Sequence, residues 1–189
     1  MGLFGISQEE RLLRMFGKGD PRAMQELCAQ YAPYLSGVAS RYVPGDDDLH
    51  DVLQESLIKI FTSIGSFEYR GKGSLKAWMA RITVNEALHF LRKQQNSIFV
   101  DQPVDNLNVP DDDDEPPDPS ALTDEQLRRL IGQLPPGYRA VLNLYAIEGK
   151  SHKQIARMLG IKPDTSASQY HKAKVMLARL IKQEIKKAS

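Results

Sequence analysis

The sequence contains a single cysteine, Cys28, so it can form neither an internal disulfide nor a zinc site built from several cysteines. No run of apolar residues is long enough to cross a bilayer, and the first residues lack the basic start and apolar stretch of a signal peptide. No segment alternates apolar and polar residues as a β-strand does. These absences predict an all-α cytoplasmic protein without membrane insertion, in which Cys28 packs in the core.

Patterns that would support catalysis or metal binding are also missing. The histidines His50, His89, His152 and His171 show no metal-ligand spacing with a third ligand nearby, and no Ser/His/Asp pattern or Gly-rich phosphate loop is present. The acidic run at residues 111–114 lacks the alternating ligands, central glycine and terminal glutamate of a calcium loop. We therefore expect no enzymatic activity, no metal and no cofactor.

The net charge of +1 conceals a strong asymmetry along the chain. Residues 94–127 contain ten Asp or Glu and no Lys or Arg, whereas residues 128–189 contain thirteen Lys or Arg and three acids. Residues 1–93 are near neutral, with twelve basic and eleven acidic residues. A basic C-terminal segment suits a polyanionic partner such as DNA, although a solvated basic surface explains the charge equally well.

Capping signals and apolar periodicity predict helices on both sides of the acidic segment. Capping boxes begin helices at Ser7, Thr123 and Ser151, and Asp20-Pro21 supplies a cap and a proline at the first helical position. Further helices are predicted from Asp46, over residues 74–93 and over residues 137–148. The predicted organisation is two small helical domains, residues 1–95 and 123–189, joined by an acidic, proline-rich linker over residues 96–122.

Residues 151–176, SHKQIARMLGIKPDTSASQYHKAKVM, have the pattern of a helix–turn–helix. Gly160 suits the left-handed residue that ends the first helix, and Thr165 is the predicted N-cap of the second. One stripe of the second helix is predicted to pack inward: Ser166, Tyr170, Ala173, Leu177 and Leu180/Ile181. The opposite face is small, polar and basic, as a DNA recognition helix requires. The alternative is an ordinary helical hairpin with a solvated outer face.

Two blocks of the sequence resemble regions 2 and 4 of extracytoplasmic-function (ECF) sigma factors, which belong to the sigma-70 family. The segment LPPGYRAVLNLYAIEGKSHKQIARMLGIKPDTSASQYHKAK is similar to region 4, and DDDLHDVLQESLIKIFTSIGSFEYRGKGSLKAWMARITVNEALHFLRK is similar to region 2. The resemblance implies a factor that binds core RNA polymerase, with region 2 on the β′ clamp helices and region 4 on the β flap. It also implies promoter DNA as a ligand and an anti-sigma factor as a partner.

The resemblance and the residue chemistry together predict three surfaces. The −10 element would contact basic, amide and aromatic residues in and after a flexible loop: Arg70, Lys72, Lys76, Trp78, Arg81, Asn85 and Arg92. The −35 element would contact the second helix of the helix–turn–helix: Thr165, Ser168, Gln169, His171, Lys172 and Arg179. Core polymerase would contact the helix that begins at Asp46: Asp51, Gln54, Glu55 and Lys59.

Several alternatives and two departures from the family pattern accompany this hypothesis, and one of the departures is Tyr170, which stands where leucine is common. Trp78 is either a stacking platform for a base or a core residue, and the basic residues of the loop are either DNA ligands or solvated charges. Ala167 stands where many family members have lysine, which removes one possible phosphate contact with the −35 element. A stand-alone helix–turn–helix regulator is the second functional hypothesis, but it gives residues 46–93 no role.

Overall fold

The computed structural model describes residues 6–94 and 122–188, and all regular secondary structure in these two ranges is helical. The helices are α1 (Gln8–Gly17), α2 (Ala23–Ser40), α3 (Asp46–Ser63), α4 (Ser74–Gln94), α5 (Asp124–Gly132), α6 (Pro136–Leu142), α7 (His152–Leu159) and α8 (Pro163–Ala188). A short 3₁₀ turn, Ile64–Ser66, follows α3. The prediction of an all-α fold is therefore confirmed for the described part of the chain.

The chain divides into two compact units, residues 1–87 and residues 88–189, so the division falls within α4. The predicted acidic linker lies outside the described residues except for its last residue, Leu122. The predicted domain boundaries at residues 95 and 123 therefore stay a prediction.

The first unit is built around one apolar core, to which α1, α2, α3 and α4 contribute. Its buried members are Leu12, Leu27, Tyr31, Leu35, Ile60, Ile64, Leu75 and Met79. The members from α2 and from α4 recur at four-residue spacing, so one stripe of each of these helices faces the core. Burying such a stripe is the main source of stability for helices of this length.

The start of α1 confirms the predicted capping box. The Ser7 hydroxyl accepts from the backbone N–H of Glu10 at 3.1 Å, and the Glu10 carboxylate accepts from the backbone N–H of Ser7 at 2.9 Å. The hydrogen bonds with Ser7 lower the pKa of the Glu10 carboxyl below its ordinary value.

The predicted start of α2 is wrong by two residues. Asp20 is not followed by a helical Pro21, because α2 begins at Ala23. Instead the Asp20 carboxylate accepts from the backbone N–H of Arg22 and pairs with its guanidinium at 2.9 Å. A local turn thus precedes the helix and uses the acceptor that the sequence pattern assigned to a helix cap.

In the second unit α8 packs against α5, α6 and α7. The buried residues Leu134, Tyr138, Leu142 and Ala173 form its apolar cluster, with Leu177 and Leu180 packed against it. The predicted inward stripe of α8 is confirmed, since Ser166, Ala173 and Ile181 are buried and the remaining members are half-buried.

The helix predicted over residues 137–148 differs in detail. It begins at Pro136, whose missing N–H costs nothing in the first helical turn. It then widens into a π-helical turn, Asn143–Ile147, closed by a bond from the Glu148 N–H to the Asn143 carbonyl. The Asn143 side chain donates to the Arg139 carbonyl at 2.9 Å, which gives that carbonyl a side-chain partner next to the wider turn.

Candidate DNA and polymerase interfaces

The loop before α4 carries the first group of predicted DNA ligands. Gly71 and Gly73 have φ angles of +105° and +90°, a region that favours glycine, and they turn the chain sharply into the helix. The side chains of Arg70 and Lys72 are exposed on this turn. The Arg70 guanidinium pairs with the Glu68 carboxylate at 3.3 Å, but both side chains are exposed, so Arg70 and Lys72 remain accessible to a phosphate or a base.

The side chains along α4 divide between the core and the solvent. Arg81, Asn85 and Arg92 are exposed, as a DNA-facing surface requires. Trp78 is half-buried, and its ring lies 5.0 Å from the ring of Phe67. Trp78 therefore contributes to the packing of the core while part of its surface stays accessible.

Lys76 is exposed, but its charge has an intramolecular contact. The Lys76 Nζ lies 4.1 Å from the centre of the Tyr34 ring, a cation–π geometry that joins α4 to α2. A DNA phosphate would compete with the Tyr34 ring for the Lys76 ammonium group, and this ring is itself exposed to solvent. Lys76 is thus held near the loop by α2, and its ammonium group remains accessible.

The helix–turn–helix has the geometry that its sequence predicts. The Ser151 capping box is complete, with Gln154 as the reciprocal residue. Gly160 ends α7 in the left-handed conformation at φ +71°. Nδ1 of His152 and Oγ of Ser166 share a hydrogen bond at 3.0 Å, which ties α7 directly to α8.

The start of α8 corrects one prediction. Thr165 is not the N-cap, because α8 begins two residues earlier, at Pro163. The fixed φ of proline suits the first helical position, and the Ser166 N–H already bonds to the Lys162 carbonyl at 3.1 Å. Thr165 lies in the first turn of the helix and is half-buried.

The predicted −35 residues of α8 differ in how accessible their side chains are. Ser168, His171 and Arg179 are exposed and Lys172 is half-buried, so these side chains can reach a DNA groove. Gln169, however, is only 8% exposed, and its Oε1 has no hydrogen-bond partner within the described part of the chain. Its side chain is therefore covered in this conformation, and its role as a −35 ligand stays a prediction. Gln169 follows Ser168 by one position, which turns its side chain toward the helix packing.

The polymerase surface predicted on α3 is exposed. Asp51, Gln54, Glu55 and Lys59 all face solvent. Lys59 also forms an ion pair with Glu86 at 2.6 Å, so this lysine joins α3 to α4. The other three residues, Asp51, Gln54 and Glu55, make this part of the α3 surface acidic and polar.

A feature that the sequence analysis missed is an apolar groove beside this acidic surface. The groove has a volume of about 1290 Å³ and is lined by residues of α1, α3 and the segment that follows α3, among them Leu13, Phe16, Leu57, Ile58, Phe61 and Phe67. Ile58 and Phe61 are 49% and 54% exposed. Apolar surface of this kind on a free protein indicates an interaction site.

The signal for the groove was present in α3. The buried stripe Val52, Ser56 and Ile60 already occupies one face of the helix at four-residue spacing. Ile58 and Phe61 lie three residues apart on a different face, so they cannot share that stripe. A helix with more apolar residues than one stripe can bury must present a second apolar face.

Metal-binding clusters and membrane-spanning helices were also sought among the described residues. Within residues 6–94 and 122–188 no three His, Cys, Asp or Glu residues are grouped so that they could hold a metal ion. In the same ranges no helix is both long and apolar enough to span a membrane.

The chain matches two family models that lie at different positions. Residues 27–97 match sigma-70 region 2, a range that includes most of α2 and all of α3 and α4. Residues 124–177 match sigma-70 region 4, which covers α5, α6, α7 and the first half of α8. The two matches together span most of the chain and include the residues of all three predicted surfaces except Arg179.

The relatives agree with the family models. The ECF RNA polymerase sigma-E factor of Haemophilus influenzae is 30% identical over 92% of this chain and 95% of its own length. The ECF RNA polymerase sigma factor SigE of Mycolicibacterium smegmatis is also 30% identical, over 84% of this chain, which spans 63% of that relative. A co-crystal structure of the sigma factor RpoE with the anti-sigma factor NepR from Bartonella quintana aligns with a TM-score of 0.49 and 23% identity, covering 85% of this chain and 98% of that one. The chain belongs to the ECF group of the sigma-70 family of RNA polymerase sigma factors.

Proposed function

We propose that this protein binds core RNA polymerase, recognises the −10 and −35 elements of a promoter, opens the DNA at the −10 element and directs transcription initiation. The observation that carries the proposal is the presence in one chain of both sigma-70 regions, each with an exposed surface of suitable chemistry. Sigma factors are initiation factors without catalysis of their own, so the polymerase supplies the chemistry of RNA synthesis.

Recognition of the −35 element is assigned to the outer face of α8. Ser168 has a short side chain that permits a close approach to the major groove, while His171 and Arg179 supply donors for bases or phosphates. The basic balance of residues 128–189 supports this assignment, because phosphate contacts supply much of the affinity of DNA-binding proteins. Ala167 adds no charge here, so Lys172 and Arg179 carry the phosphate contacts.

Recognition and opening of the −10 element are assigned to the loop at residues 67–73 and to α4. Taking a base out of the stack costs a few kcal/mol, which aromatic and polar pocket walls can offset. Tyr69 and Trp78 provide aromatic surface, and Arg70 and Asn85 provide exposed donors. A displaced single strand that follows the loop onto α4 would meet both kinds of contact.

Binding to core polymerase is assigned to α3 and the apolar groove. A docking surface with an apolar centre and a charged rim is typical of protein–protein interfaces. Ile58 and Phe61 would form the apolar part, while Asp51 and Glu55 would form the acidic rim that steers association. The partners in this proposal are the β′ clamp helices for α3 and the β flap for the second unit.

An anti-sigma factor is the third partner in the proposal. The groove exposes apolar side chains whenever the protein is free of polymerase, and such surfaces promote unwanted association. An anti-sigma factor that covers the groove would protect it and would also prevent polymerase binding. This regulation would take place in the cytoplasm, where the polymerase works.

Run-off transcription on fragmented genomic DNA tests the proposal even though the promoter sequence is unknown. Core polymerase supplemented with this protein should yield discrete transcripts that core polymerase alone does not make. Replacing Asn85 by Ala should reduce these transcripts on duplex templates and leave those from pre-melted templates intact. Unchanged transcript patterns with and without the protein would contradict the proposal.

The alternative function is a stand-alone helix–turn–helix regulator. It would bind specific duplex DNA in the absence of polymerase, whereas the proposed factor binds promoters as part of the holoenzyme. The match of residues 27–97 to sigma-70 region 2 disfavours the alternative, because a regulator has no use for that region.

A further inference from the structure

Glu9 of α1 caps the start of α4 from a distant part of the sequence. Its carboxylate accepts two backbone hydrogen bonds, one from the Gly73 N–H at 2.9 Å and one from the Lys76 N–H at 3.2 Å. Glu9 is only 7% exposed, so both bonds lie in a largely desolvated position. Charge-assisted bonds of this kind are stronger than neutral ones, and they strengthen further when shielded from water.

The arrangement reproduces a capping box with a residue from outside the helix. In a local capping box the N-cap side chain bonds to the N–H of the third helical residue, and that residue bonds back to the N-cap N–H. Gly73 precedes α4 at the N-cap position and Lys76 is its third residue. Gly73 has no side chain with which to cap the helix, and its φ of +90° disfavours residues that do. Glu9 satisfies both N–H groups at once.

Two further contacts hold the loop between α3 and α4. The Ser7 hydroxyl and the Tyr69 hydroxyl share a hydrogen bond at 3.1 Å, so the cap of α1 contacts the loop as well. The Phe67 ring packs on Trp78 at 5.0 Å, which fixes the beginning of the loop against α4. The loop is thus tied at residues 67, 69 and 73, while Arg70 and Lys72 extend into solvent between the ties.

We infer that Glu9 is a positioning residue for the binding of single-stranded DNA. It holds the loop at residues 67–73 in the shape that presents Arg70 and Lys72 to the −10 strand. The inference rests on the proposed function, because it assigns the loop to the −10 element. Preorganising a binding loop raises affinity by removing the entropy cost of ordering it on contact. Glu9 itself does not touch the DNA.

The matched variants are Glu9→Gln and Glu10→Gln. Both remove one negative charge from the first turn of α1, but the hydrogen bonds of Glu10 go to Ser7 and not to the loop. In Glu9→Gln the amide group retains one acceptor and brings a donor toward two N–H donors. Glu9→Asp keeps the charge and is one methylene shorter, so it gives a milder comparison if Glu9→Gln folds poorly.

The loop can be observed directly in the full-length free protein. Trp78 is the only tryptophan of the chain, and it packs on Phe67 of the loop. Glu9→Gln should increase the quenching of Trp78 fluorescence by acrylamide, whereas Glu10→Gln should behave as the unaltered protein does. Equal quenching in all three proteins would overturn the claim that Glu9 holds the loop.

The functional readout is the selection of single strands by holoenzyme from a random-sequence single-stranded DNA pool, with affinity for core polymerase measured in parallel. The unaltered protein and Glu10→Gln should enrich one short motif. Glu9→Gln should bind that motif about tenfold more weakly, the effect of losing one charge-assisted hydrogen bond, with unchanged affinity for the core.

Two other outcomes distinguish a failure of the role of Glu9 from a failure of the −10 assignment. If Glu9→Gln selects as the unaltered protein does while Arg70→Ala with Lys72→Ala loses the motif, the role of Glu9 is refuted and the −10 assignment stands. If the unaltered holoenzyme enriches no motif, the −10 assignment fails and the inference fails with it.

Discussion

Phe61 provides the sharpest quantitative prediction for polymerase binding. Its side chain lies on the rim of the apolar groove with 54% of its surface open, and it contacts Phe16 edge-on with a centroid distance of 6.4 Å. Aromatic side chains bury roughly 150–250 Å² when fully covered, so about 100 Å² of Phe61 remains to be covered by a partner. At about 25 cal/mol per Å², docking would gain about 2.5 kcal/mol from this residue.

Phe61→Ala should therefore weaken binding to core polymerase by up to roughly 60-fold. Binding is measured by competition between a fluorescently labelled unaltered protein and each variant for a fixed amount of core polymerase. Ile6→Ala is the matched control, since Ile6 is equally exposed at 55% but does not line the groove. Helix content by circular dichroism verifies that both variants are folded.

The comparison of the two variants decides whether the groove is a docking site. If Phe61→Ala and Ile6→Ala compete as well as the unaltered protein does, the groove does not dock on core polymerase. A weakening of similar size in both variants would point to a general effect of reduced apolar surface. Only a selective weakening in Phe61→Ala supports the assignment of the groove.

Three further predictions concern DNA binding and the helix–turn–helix. Replacing Lys172 and Arg179 by Ala should weaken promoter binding by holoenzyme and reduce the slope of log K against log salt by about 0.9 for each phosphate that is no longer neutralised; an unchanged slope would reject their phosphate role. Asn85→Ala should slow promoter opening, followed by permanganate footprinting, with polymerase affinity intact; failure of a pre-melted template to restore activity would assign Asn85 to folding instead. Ser151→Ala should destabilise the start of α7 by about 1 kcal/mol, seen as faster amide hydrogen exchange of α7, whereas the same change at the exposed Ser168 should leave α7 exchange unaltered.

Local signals predicted four helix termini correctly, while the predicted starts of α2 and α8 were wrong. The capping boxes at Ser7, Thr123 and Ser151 are all present in the structure, and Gly160 has the left-handed conformation that its position suggested. Each of these features is set by residues within three or four positions of one another. The sequence displays such local hydrogen-bonding arrangements directly.

The features that the sequence analysis missed depend on contacts between distant segments. Glu9 caps α4 across an interval of 64 residues, and no periodicity in either segment indicates that bond. The second apolar face of α3 is visible in its sequence, but the groove also requires α1 and α3 to leave a gap between them, which follows from packing. Gln169 lies three residues after Ser166 and four residues before Ala173, so helical spacing already places it on the inward stripe of α8, in agreement with its burial.

Whether this protein is a factor for core RNA polymerase can be decided by co-elution with purified bacterial core polymerase on a sizing column. We expect stoichiometric co-elution that is weakened by Glu55→Lys, which reverses a charge on the exposed surface of α3. Absence of co-elution, together with tight and specific binding to duplex DNA by the protein alone, would refute the assignment and favour a stand-alone regulator.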